Sequence, residues 1–69
     1  MNTEQKLEYI NVFVSMASEA ETYESALSHT IYTKGMVGAW FLDTTIPYGD
    51  YNRIWNELET IMNNKRKLP

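Results

Sequence analysis

Apolar positions along the chain fall mostly at helical spacing. Leu7, Ile10, Phe13, Val14, Ala17, Ala20, Leu27 and Ile31 follow one another at intervals that are mainly three and four. That period places them on one helical face. Tyr9–Val14 is rich in strand-favouring residues, but Val12, Phe13 and Val14 are consecutive, so strand alternation fails and helix is preferred. Asn2 stands three residues before Gln5, a capping-box variant that starts the helix. No Gly or Pro interrupts residues 1–34. Lys34 followed by Gly35 gives a common helix ending, so the pattern predicts a long first helix over about 3–33. Ser18 and Glu21 form a second capping signature and mark a rival break near Ala17.

A second, short helix is expected over about 36–43. In it Gly35, Gly38 and Ala39 precede Trp40, Phe41 and Leu42. After the polar connector Asp43-Thr44-Thr45, Ile46-Pro47 opens a third helix. With Pro47 as N-cap, Ile46 and Tyr51 have the separation of a hydrophobic staple. Asp50 is the rival N-cap. Tyr51, Ile54, Trp55, Leu58, Ile61 and Met62 give the clearest stripe, with Asn52, Arg53, Asn56, Glu59 and Asn63 opposite. This helix should fray near Asn64. The fold class is all-α: a helical hairpin or three-helix bundle with a long N-terminal helix, a short second helix and a C-terminal helix. Residues 1–64 form one domain, and 65–69 a basic tail.

Composition narrows the function. A chain of 69 residues holds one small core and no deep catalytic pocket. Cysteine is absent, which removes disulfides, thiolate metal sites and Cys nucleophiles. Glu19, Glu21 and Glu24 lack the E-x-x-H spacing of a dicarboxylate metal helix, because His29 is out of phase with Glu24. His29 has no nucleophile partner at a catalytic spacing, and Gly35 and Gly38 lack the Lys-Ser/Thr of a phosphate loop. No catalytic residue, cofactor or metal is expected, and the chain is read as non-enzymatic.

All nine acidic residues lie within 1–64 against Lys6, Lys34 and Arg53, while Lys65, Arg66 and Lys67 follow; net charge is −3. An acidic body argues against nucleic acid as partner. A helix-turn-helix regulator presenting Asn52, Arg53 and Asn56 is the third reading, opposed by Asp50, Glu57 and Glu59. An acidic helical protein can instead occupy a basic site on another protein by imitating DNA. No apolar run is long enough to span a membrane. Met1–Lys6 is polar, unlike a signal peptide, so a cytoplasmic location is expected.

Five Tyr, two Trp and two Phe are many for so small a core. Aromatic residues concentrate at interface centres. Trp40, Phe41, Tyr48, Tyr51 and Trp55 are the candidate contact residues, for another protein or for a second copy in a homodimer or larger assembly.

The run Gly35-Met36-Val37-Gly38-Ala39-Trp40-Phe41-Leu42, then Ile46, Tyr51, Ile54 and Leu58, resembles the C-terminal pattern of small helical proteins of bacteriophages, prophages and plasmids. It is distantly similar to the short helical-pair domain called SHOCT. The resemblance covers less than half of the chain. No Gly precedes Ile46, and Pro47 stands where that pattern has a capping Ser or Thr. The resemblance implies an accessory protein of a mobile element that binds and modulates a host or phage protein, and it brings no catalytic residue.

Overall fold

The computed structural model describes residues 1–67 as three helices and no strand: α1 (Thr3–Glu19), α2 (Tyr23–Leu42) and α3 (Tyr48–Lys65). They form an up-down-up bundle 38 Å long. α1 and α3 run in the same direction, and α2 returns between them. α1 packs chiefly on α2, and α2 on α3, while α1 and α3 touch least.

α1 starts as its sequence predicts. Asn2 Oδ1 accepts from the Gln5 N–H at 2.8 Å, and Gln5 Oε1 accepts from the Asn2 N–H at 3.0 Å. The helix does not continue to residue 33. It ends at Glu19, Ala20 turns extended, and the expected ending at Gly35 does not occur. Thr22 starts α2, its Oγ1 accepting from the Ser25 N–H at 3.1 Å. A cap that satisfies an orphan N–H is enough to restart a helix without Gly or Pro. Lys65 secures the corner from α3 by donating its Nζ to the Ala20 carbonyl at 2.8 Å. The short helix expected over 36–43 is therefore the last part of a 20-residue α2.

This reversal changes which side of α2 faces inward. Ala26, Thr30, Thr33 and Val37 are buried, at intervals of four, three and four. Ile31, placed on the apolar stripe by a continuous helix, is 62% exposed, and Leu27 is half-buried. The three non-helical residues shift the helical phase, so Thr30 enters the core and Ile31 leaves it. Thr33 donates its hydroxyl to the His29 carbonyl at 2.6 Å. The Thr30 hydroxyl is buried without a partner.

α2 ends in a Schellman motif. The Thr44 N–H donates to the Phe41 carbonyl and the Thr45 N–H to the Trp40 carbonyl, both at 3.0 Å. Thr44 takes the left-handed position, φ 66°, where Gly is usual and a β-branched side chain is strained. Pro47 is the N-cap of α3, with no side-chain cap bond. Ile46 is buried in the core, and Tyr51 packs against the same cluster, as the staple requires. That cluster joins Ile10, Val14 and Ala17 of α1, Val37 of α2 and Ile54 and Leu58 of α3. Of the basic tail expected over 65–69, Lys65 closes α3 and Arg66 is its C-cap. Residues 68–69 lie outside the described residues.

Two substitutions test these local assignments by chemical denaturation. Thr44→Gly should raise stability by about 1 kcal/mol, because Gly adopts the left-handed conformation without a Cβ clash. A loss of stability would contradict a left-handed Thr44. Thr30→Val keeps the shape and removes an unpaired buried hydroxyl, so stability should also rise by about 1 kcal/mol. A clear fall would mean that the hydroxyl has a partner.

Candidate functional site

Two polar clusters of the bundle are tied together by contacts within the chain. At the end where α1 begins and α2 meets α3, Thr45 is the hub. Its carbonyl accepts from the Thr3 hydroxyl at 2.8 Å, and its own hydroxyl accepts from Lys6 Nζ at 2.8 Å. That hydroxyl also lies within hydrogen-bond distance of Asp43 Oδ1 and the Trp40 carbonyl. Its single proton serves one of them at a time. Lys6 Nζ lies 5.2 Å from the centre of the Trp40 ring, within cation–π range. The Thr45 hydroxyl bond, aided by the Thr45 N–H, holds the Asp43 carboxyl below its ordinary value.

Between α2 and α3, Lys34 pairs with Glu59 and lies 4.6 Å over the Trp55 ring. The hydrogen bond and charge of Lys34 hold Glu59 below the usual carboxylate range. Arg53 lies 3.6 Å from both Asp50 and Glu57 on its own helix. Two carboxylates thus flank the central basic residue of the face that the helix-turn-helix alternative would use. Glu19, Glu21 and Glu24 are exposed around the α1–α2 corner. Among the described residues, no three His, Asp or Glu side chains converge as a cation site would need. A shallow depression of about 210 Å³ is lined by Ser18, Ile61, Asn64 and Lys65. Of its lining residues, Lys65 donates its Nζ to the Ala20 carbonyl.

Four of the five candidate aromatics form one run. Phe41 stacks on Tyr51 with ring centres 4.4 Å apart, Tyr51 meets Trp55 at 5.4 Å, and Tyr48 lies 5.9 Å from Phe41. Tyr48 is 64% exposed, while Phe41, Tyr51 and Trp55 are half-buried in the α2–α3 seam. Trp40 lies apart on the α1 side of α2, with its ring centre 6.2 Å from that of Tyr9.

A second surface, which the sequence reading did not single out, spans α1 and α2. Tyr9 (42% exposed), Val12 (56%) and Met16 (41%) lie on the outside of α1. On α2, Ile31 (62%), Tyr32 (56%) and Leu42 (82%) are exposed. Phe13 joins the two helices, 5.0 Å from Tyr9 and 5.0 Å from Tyr32. The signal was present as spacing: 9, 12, 13 and 16 form a second apolar stripe on α1 beside 10, 14 and 17. Between Ser25 and Leu42 the only Lys, Arg, Asp or Glu is Lys34, which is turned to Glu59 of α3. The outer side of α2 is therefore uncharged.

These features define a small all-α bundle with exposed apolar side chains on α1 and α2. No helix among the described residues is long and apolar enough to cross a membrane. The chain matches no protein-family profile, no curated protein and no solved structure.

The two lowered carboxylates predict a pH dependence. A carboxyl whose folded value is depressed adds stability above its unfolded value and loses it as pH falls through the folded one. Melting temperature should thus hold near neutrality and drop as pH falls through about 4 and below. Asp43→Asn and Glu59→Gln should each flatten part of that acid-side drop in thermal melts. Unchanged slopes in both variants would show that neither carboxyl is held by its partner.

Proposed function

We propose that this chain is a non-enzymatic protein-interaction module. In this reading it is an accessory protein, of the kind carried by phages and other mobile elements, that binds another protein and modulates or inhibits it. The observation that carries the reading is the exposed apolar face of α1 and α2. Six large apolar side chains, 41–82% exposed, occupy two adjacent helices of a small molecule. Contiguous apolar patches on small domains mark interaction sites. Tyr48, at the exposed end of the α2–α3 aromatic run, offers a further contact.

Ordinary packing supplies no other reason for this surface. The core is complete without it, since Ile10, Val37, Ile54 and Leu58 are fully buried. Val12 and Ile31 keep more than half of their surface in water.

The test uses the tagged chain as bait in a bacterial lysate, beside a Val12→Glu/Ile31→Glu double variant. Circular dichroism first establishes that the variant keeps its helices. The expected result is one stoichiometric partner held by the natural chain and lost by the variant. A partner retained by the variant would move the contact to another surface.

A further inference from the structure

Along the outer side of α2, Ile31, Gly35, Gly38 and Leu42 stand at intervals of four, three and four. That spacing places them on one line of the helix, opposite the buried Ala26, Thr30, Thr33 and Val37. We propose that this ridge packs against the same ridge of a second copy of the chain. The two α2 helices cross in opposite directions about a two-fold axis. The inference rests on reading this face as an interaction surface and takes its occupant to be a second copy of the chain.

Three observations support it. The first is an unexplained pair of glycines. Gly35 and Gly38 lie inside α2 without positive φ. A Cβ at either position would meet nothing within 4 Å. Glycine weakens a helix interior, and nothing within the chain requires it here. A helix approaching from outside would, because small residues let two backbones come close.

The second is the order of sizes. Large, small, small, large reads the same in both directions. An isologous contact needs a surface complementary to itself. With the axis midway between Gly35 and Gly38, Ile31 of one copy faces Leu42 of the other, and Gly35 faces Gly38. Tyr32 flanks the ridge on the α1 side, continuous through Phe13 with the exposed α1 stripe.

The third is area. With about 150–250 Å² for an aromatic side chain and less for an aliphatic one, the exposed parts of the six apolar residues, three on α1 and three on α2, amount to roughly 600 Å². The glycine backbone, Ser28 and Ala39 extend that surface. A standard interface buries about 800 Å² on each partner, so this face is of the size a dimer uses. The lack of charge on the outer side of α2 also favours a second copy over an oppositely charged partner. Two copies at −3 each repel, and salt screens that repulsion.

Sedimentation equilibrium of the purified chain from micromolar to millimolar concentration tests this. The mass should climb from 8.1 kDa towards twice that value, and the dimer should tighten as salt is added. Ile31→Glu and Gly35→Leu both change groups that face open space, so their circular dichroism should match the natural chain. Each should weaken association by about tenfold or more. Three results would overturn the proposal: a natural chain that stays at monomer mass throughout, variants that dimerise as well as it does, or a dimer that weakens with salt. If the chain is monomeric yet the natural bait still captures a partner that the double variant loses, only the second-copy inference fails. If it is monomeric and captures nothing, the interaction-module reading fails with it.

Discussion

The corner at Ala20–Thr22 is the constraint on which the other packing depends. It reverses the chain without Gly or Pro, on the strength of a Thr22 cap and one hydrogen bond from Lys65 to the Ala20 carbonyl. A continuous helix over 3–33 would be about 46 Å long, longer than the whole bundle at 38 Å. Its second half would have had nothing to pack against. Folding back lets α1 and α2 bury their small residues, Ala17 and Ala26, completely. The same corner fixes the phase of α2, and that phase decides what the molecule shows to solvent.

α2 has an unusual division of labour as a result. Its inner side carries Ala26, Thr30, Thr33 and Val37, and its outer side carries Ile31, Tyr32 and Leu42. The inner side works because small residues bring α1 and α3 close. Larger groups from those helices, among them Ile10, Ile54 and Leu58, then fill the space. Electrostatics supports the same division. Lys34 is held against α3 by Glu59 and the Trp55 ring, while Lys6 is held at the end where α1 begins by Thr45 and Trp40. The outer side is left without charge, and it is this surface that the interaction reading uses.

Local signals in the sequence were sound at the start of α1 and along α3, and misled at Lys34-Gly35, where α2 continues without a break. The Asn2–Gln5 cap, the Ile46–Tyr51 staple and the α3 stripe of Ile54, Leu58 and Met62 all stand in the structure. The aromatic candidates were legible as a group, and Phe41, Tyr48, Tyr51 and Trp55 do come together. Trp40 does not join them, because it lies towards α1 rather than α3. Val12, Met16, Ile31 and Tyr32 were not picked out. Their exposure depends on which of two overlapping stripes on each helix turns inward.

By itself the sequence determined the all-α class, the cap that starts α1, the staple and inward face of α3, and the absence of cysteine chemistry. Each follows from residue type and short-range spacing, which act within a turn or two of helix. Only the tertiary structure decided where the first helix ends and which side of α2 is buried. Ser18-x-x-Glu21, Thr22 and Lys34-Gly35 are all competent boundary signals. The choice among them fell to contacts made across the bundle, Lys65 on the Ala20 carbonyl and the burial of Val37 against α1 and α3. Those contacts join residues far apart in the chain, and no local pattern encodes them.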